Sequence, residues 1–390
     1  MNGVARGFSA DEFHQRLMRA QQMMSDAGLD ALLLTTEPEV RYFTGFLTRF
    51  WESPTRPWFL LVPASGKPIA VIPTIGADLM GQTWIDDIRT WRSPDLSDDG
   101  VSLLADAIHN SVGKSGRIGM PTGHETLLRM PLQNFEALGR SLSPLQLVSD
   151  NEIMRRLRTV KSAAEIDKIE MACGIAGQAF ERIGEHAMEG AGLDAVFRGF
   201  QMLCLEEGAD WVPYLAGGAG RDGYADVISP ASPDPLRPGD VLMLDTGLVW
   251  DGYFCDFDRN FAIGEKSVTA VDAHQRLIEA TKAGFEAARP GATAADLFHA
   301  MDRIVTGGKG TSDVGRLGHG LGMQLTEWPS LIPDDHTVLE DGMVLTLEPG
   351  IETGRGRMMV HEENIVVTRD GARWLTETAG PELPVIGKAG

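Results

Sequence analysis

Positive charge is scarce in this chain: 35 Lys and Arg face 55 Asp and Glu, for a formal net charge of −20. Nucleic acids and anionic membranes are held through basic patches, so neither is expected as a partner, and the acidity reads as solubility. Cysteine is scarce as well. Cys173, Cys204 and Cys255 are odd in number and lack metal-type spacing, which argues against a disulfide framework and for reduced thiols in a cytoplasmic protein. No apolar run approaches the roughly 20 residues that span a bilayer. The polar, Gly-containing start from Met1 to Glu12 does not read as a leader. What is present is a globular composition, 43% hydrophobic and 23% charged, over 390 residues, too many for one ordinary core and suited to two domains.

The stretch Val241–Arg259 organises the rest. Its apolar run Val241–Leu244 stops at Asp245, the chain crosses a turn with Gly247 and Asp251-Gly252, and a second short run delivers Asp256 and Asp258. This is a hairpin signature that brings carboxylates together, although a hairpin with its acids in water would read the same way. Further on, His319 lies among glycines in Gly318-His319-Gly320-Leu321-Gly322. Glu348 ends the apolar run from Val344, and Glu362 precedes the strand-like run Ile365-Val366-Val367. Carboxylates beside such runs are costly unless a positive charge compensates them. Asp245, Asp256, Glu348 and Glu362 carry about four negative charges, which two divalent cations would neutralise. Oxygen ligands with a single histidine suit Mn, Fe, Co or Zn in a two-metal site.

In this order and with these neighbours, Asp245, Asp256, His319, Glu348 and Glu362 resemble the five metal ligands of the pita-bread superfamily, which includes aminopeptidase P, prolidase, methionine aminopeptidase and creatinase. The resemblance implies an α+β protein with a creatinase-type N-terminal domain over 1–155. A pita-bread domain, a curved antiparallel sheet with helices on its outer face, would occupy 156–390. It also implies a homodimer and a metal-bridging hydroxide that attacks a C–N or amide bond of a small substrate, Xaa-Pro-like ones among them. Glu348 would act in addition as the general base.

Local patterns fit this plan. Phe13, Leu17, Ala20 and Met24 recur at helical spacing and Gly28 stops them. Ala31–Leu34 reads as a buried strand, and two apolar runs flank Ser65-Gly66-Lys67 as a hairpin. The aromatic loop Phe50–Trp58 reads as a core plug, or, following the resemblance, as a place where Phe50 and Trp51 border a substrate pocket of the dimer partner. Ser162 and Glu165 form a capping box that opens a long helix, a second helix spans about 193–207, and Thr293 caps a third. Gly217-Gly218-Ala219-Gly220 reads as a loop without the order of a dinucleotide site.

Departures from the peptidase pattern bear on activity. No histidine occupies Ala225–Pro230, Thr326 stands where a second histidine is expected, and Val360 where an arginine is frequent. Thr326 does not titrate near neutral pH. Glu327 is then a candidate proton carrier, and Asp258 is either a further acid near the metals or a partner of Arg259. Tyr214, Tyr253 and Trp328 are candidate substrate-binding aromatics, able to box an onium group or simply to pack. Strand alternation should turn His361 and Cys255 away from the ligands. Hydrolysis of a small or dipeptide-like molecule is the first expectation. A lyase acting on dimethylsulfoniopropionate, to whose branch FCDFDRN and GHGLGMQLTEWPS bear a likeness, is the second, and a non-catalytic metal-binding module the third.

Overall fold

The structure is a computed structural model that describes residues 3–53, 56–309, 315–354 and 356–387. It divides into two compact units, 5–158 and 159–390 together with 1–4. In the N-terminal unit, α1 (Ala10–Ala27) starts at Ser9, whose side chain accepts the Glu12 N–H, and stops at Gly28 in the left-handed conformation. Then come β1 (Ala31–Leu34), α2 (Glu37–Thr44), β2 (Phe59–Pro63), β3 (Ile69–Pro73), the short α3 (Ala77–Met80), β4 (Asp87–Trp91), α4 (Val101–Val112), β5 (Arg117–Met120), α5 (Leu132–Leu142) and β6 (Gln146–Ser149). The six strands form one mixed sheet in the order β4-β3-β2-β1-β5-β6. Its buried residues Leu33, Leu61 and Val71 pack with Leu104 and Ile108 of α4 and Leu138 of α5. The aromatic loop is tied in locally: Arg129 donates to the Trp51, Ser53 and Arg56 carbonyls, and Trp51 stacks at a tilt on Trp58.

After α6 (Ile153–Thr159), the second unit opens with α7 (Ala163–Glu181), held by the expected Ser162–Glu165 capping box, and α8 (Leu193–Glu206). A first sheet follows, from β7 (Trp211–Arg221), β8 (Asp240–Trp250), the short β9 (Tyr253–Phe254) and β10 (Phe257–Ile263). The run Gly217–Gly220 belongs to β7 and is not a loop. A Cβ on Gly217 (φ +154°) would lie 2.2 Å from the Met243 carbonyl oxygen, so glycine here permits close strand approach, and pairing with β8 overrides its turn preference. Two more helices, α9 (Val268–Ala287) and the Thr293-capped α10 (Ala294–Val305), precede a second sheet.

That sheet holds β11 (His319–Gly320), β12 (Glu327–Ser330), β13 (Val344–Leu347), β16 (Glu363–Thr368) and β17 (Gly371–Trp374). The ribbon of β14 (Gly350–Glu352) and β15 (Met358–Val360) extends from it, and β18 (Val385–Ile386) pairs with β10. Period-two alternation sorts the first sheet. Phe257 and Phe261 meet Phe180 of α7, whereas Val241, Met243 and Ala262 join a core with Leu277, Phe298, Met301, Leu345 and Leu347.

Candidate metal centre

The first hairpin turns at Asp251-Gly252, both with positive φ (48° and 80°), the geometry of a two-residue turn. Gly247 is not part of the turn but lies inside β8. Asp245 pairs with Asp258, and the same register sets Asp256 across from Gly247. Asp245, Asp256 and Asp258 therefore share the face that carries Met243, while Cys255 falls on the other, where its thiol contacts the Thr246 carbonyl.

The second hairpin pairs Leu347 with Glu363 and resumes beyond a gap with Gly350 opposite Val360. Glu348 and Glu362 fall in that gap, on facing strands. His319 enters from β11, whose Gly320 pairs with Leu345. Asn364 joins the two hairpins: its side-chain oxygen accepts the Asp256 N–H at 3.0 Å and its amide donates to the Asp256 carbonyl. Arg259 adds a second tie, to the Glu362 carbonyl and the Glu363 carboxylate.

Asp256, His319 and Glu362 offer ligand atoms within 4.8 Å of one another, all buried. The His319 Nδ1–H donates to the Gly320 carbonyl at 2.8 Å, which leaves the Nε2 lone pair 3.5 Å from Asp256 Oδ2. Asp245 Oδ1, Asp258 Oδ2 and Glu362 Oε1 are buried with no hydrogen-bond partner. Burial, and then mutual repulsion, pushes the carboxyls of Asp245, Asp256 and Glu362 well above the ordinary range. Burial brings Glu348 up to about 7, and it alone among these four acids keeps partial solvent access. Burial, then the Arg316 charge, brings His319 down to about 4, so its ring is neutral and able to ligate. Orphaned carboxylate oxygens around a neutral imidazole fit divalent cations.

The remaining candidates are placed as follows. The Tyr214 hydroxyl donates to Asp245 Oδ2 at 3.0 Å. Asp258 is a fifth acid whose charge acts on Asp245, Asp256, Glu348 and Glu362. Its carboxylate meets His361 Nδ1 at 3.3 Å, and Arg259 bonds only its backbone carbonyl. His361 is turned from Glu362 to the side of Glu363, as alternation expects, and there it bridges Asp258 to Glu363. Glu327 is buried: Oε1 accepts the Met323 and Gln324 N–H groups, and Oε2 pairs with Lys161 at 3.2 Å. Tyr253 is buried and donates to Glu165, and Trp328 is half-buried on β12. Phe50 and Trp51 belong to the N-terminal unit.

Sequence reasoning passed over Asn364, Arg316 and Lys161. A polar residue within the apolar run of β16 marks Asn364, and a cation three residues before His319 in a cation-poor chain marks Arg316.

Comparison with known proteins fits this geometry. The Creatinase/Prolidase N-terminal domain profile matches residues 16–160, and that of Metallopeptidase family M24 matches residues 167–369, more than half of the chain. The "Probable dipeptidase PepE" of Mycobacterium tuberculosis is 29% identical over 371 residues, 94% of this chain and 95% of that protein. The "Xaa-Pro dipeptidase" of Pyrococcus horikoshii is 25% identical over 371 residues, 94% of this chain and 98% of that protein. The crystal structure of dipeptidase PepE from Mycobacterium ulcerans superposes with a TM-score of 0.83 at 26% identity, covering 98% of this chain and 100% of that one. The chain belongs to metallopeptidase family M24, with a creatinase/prolidase-type domain ahead of its metallopeptidase domain.

Proposed function

We propose that the protein is a dinuclear-metal dipeptidase that hydrolyses the C–N amide bond of a short, dipeptide-like substrate. In this reading Asp245, Asp256, His319, Glu348 and Glu362 hold two divalent ions of the Mn, Fe, Co or Zn class. The observation that carries it is the buried group of Asp256, His319 and Glu362, whose ligand atoms lie within 4.8 Å of one another, together with the unpartnered carboxylate oxygens of Asp245 and Glu362. Bound ions would supply Lewis acidity toward the scissile carbonyl and lower the pKa of an attacking water.

The protein's own groups do the rest. Glu348, partly exposed, takes the water proton and returns it to the departing amine. Tyr214 holds Asp245 in orientation through its hydroxyl. Asn364 fixes the backbone that carries Asp256. Because Thr326 replaces a titratable side chain, proton handling narrows to Glu348, and a strong preference for prolyl substrates is not expected.

The reading extends to a cytoplasmic homodimer, checked by light scattering of the purified protein. The test of activity is metal analysis, then assay of the Mn-, Co-, Zn- and Fe-loaded protein on an Xaa-Pro dipeptide, a non-prolyl dipeptide, creatine, a cyclic amidine and dimethylsulfoniopropionate. Dipeptide cleavage is expected. Release of dimethyl sulfide with no amide cleavage would replace the hydrolase with a lyase.

A further inference from the structure

We infer that Arg316 and Thr326 form a carboxylate-binding subsite beside the metal centre, which selects substrates with a free carboxylate. The inference rests on the dipeptidase reading and adds the residue that would recognise the substrate's C-terminus.

Arg316 Nη2 donates to Thr326 Oγ1 at 3.3 Å, the one hydrogen bond its guanidinium makes among the described residues. A guanidinium has five N–H donors in a planar fork that matches a carboxylate, so most of its capacity is uncommitted. Arg316 is half-buried, as is Thr326, which leaves both open to a ligand. Its charge reaches the centre, acting on Asp256, Glu348 and His319.

Charge accounting gives this cation a task. Two divalent ions would neutralise the four ligand carboxylates, His361 bridges Asp258 and Glu363, and Arg259 pairs with Glu363. The Arg316 charge is then left for an incoming anion. Val360 offers no competing cation, and its backbone N–H and carbonyl are taken by Tyr224 and Asn260.

The loop that presents Thr326 is fixed. Glu327 accepts the Met323 and Gln324 N–H groups with one oxygen and meets Lys161 with the other. This buried pair makes Glu327 a positioning residue. Leu325, next to Thr326, lies over Gly247: a Cβ added there would be 2.1 Å from Leu325 Cδ1 and 3.3 Å from Tyr214 Cβ. An apolar wall therefore adjoins the cationic pair, as suits a short substrate with a carboxylate at one end.

The experiment compares Ala-Ala with its C-terminal amide in Mn-loaded wild type, Arg316→Met and Arg316→Lys. Wild type should prefer the acid. Arg316→Met should raise KM for the acid roughly 10–100-fold relative to KM for the amide, as expected for a lost charged hydrogen bond, whereas a change in kcat through the charge that Arg316 exerts on Glu348 should fall on both compounds alike. Arg316→Lys should restore part of the preference. Equal losses on acid and amide, or an unchanged acid-to-amide ratio, overturn the subsite and reduce Arg316 to a compensator of buried acids. Should Arg316→Met fail to fold, the Lys variant and the wild-type ratio still decide. Should wild type cleave neither compound, thermal shift separates the two claims. Stabilisation by the acid alone, weakened in either variant, keeps the subsite while the dipeptidase reading falls, and the absence of any acid-specific shift removes the subsite.

Discussion

The two hairpins of the C-terminal unit deliver carboxylates to one point by the same register logic, but they distribute their acids differently. In the first, one register runs from Trp250 opposite Tyr253 to Val241 opposite Ala262, with Cys255 and Asp256 between its two paired stretches, so alternation puts Asp245, Asp256 and Asp258 on a single face. In the second, one register likewise runs from Val344 opposite Val366 to Glu352 opposite Met358, with Glu348 and Glu362 facing each other between the paired stretches. Proline has no N–H to give, and there the Pro349 carbonyl accepts the His361 N–H at 3.1 Å. The first hairpin turns all three of its acids to one side. In the second, alternation makes the neighbours Glu362 and Glu363 serve different ends, one facing the centre and one paired with Arg259.

Asp256→Asn should break the first hairpin's contribution most severely. Loss of a ligand is expected to cost more metal affinity than the roughly 10–100-fold typical of a supporting residue, with activity falling alongside. The metal-free variant should be no less stable than metal-free wild type, because a buried carboxylate amid like charges is removed. Calorimetric metal titration and urea unfolding of both proteins check this. A variant that binds metal like wild type would show that Asp256 only packs.

Asn364→Ala tests the tie between the hairpins. Removing both side-chain bonds to the Asp256 backbone should lower metal affinity by roughly 10–100-fold and stability by about 1–3 kcal/mol, the cost of leaving buried backbone groups unsatisfied. Stability loss with metal affinity intact would mean that the hairpins hold their relative position without Asn364.

Much of this architecture was legible from residue order, for physical reasons. Asp256 and Asp258 at i and i+2 after an apolar run are what alternation makes of a one-faced acid pair, and Ser162 with Glu165 states its own helix start. The β7 glycines misled because the turn preference of glycine is local, whereas the Met243 carbonyl that excludes a side chain lies across the sheet. Alternation did turn His361 from Glu362, and what it could not show is that Asp258, from the other hairpin, meets it on that side. Arg316 carried only a faint mark, a cation three residues before His319, since its meaning lies in which charges surround it in space.

The acids of both hairpins answer pH in the same direction. In the metal-free protein the carboxyls of Asp245, Asp256 and Glu362 are raised well above their unfolded values and Glu348 is raised to about 7. An acid with a raised folded pKa holds its proton more tightly folded than unfolded. Stability is therefore greatest below the ordinary carboxylate range and falls as pH rises from there through the folded values. Urea unfolding of metal-stripped protein between pH 4 and 8 should show that decline, and saturating Mn should flatten it. A metal-free profile that rises with pH would contradict the burial of these acids as like charges.

The smallest effect belongs to a site outside both hairpins. Ser162→Ala removes the side-chain acceptor for the Glu165 N–H at the start of α7, whose Phe180 packs on Phe257 and Phe261 of the first sheet. Loss of such a cap costs about 1 kcal/mol, or roughly 2–4 °C in Tm for a unit of this size. Metal affinity should be unchanged, since the ligands are set by strand register and not by the helix that backs the sheet. Thermal unfolding with and without Mn reads both quantities from one sample. A parallel loss of metal affinity would show that α7 helps to aim the acids of the first hairpin, and that the hairpins differ in their dependence on the helical frame.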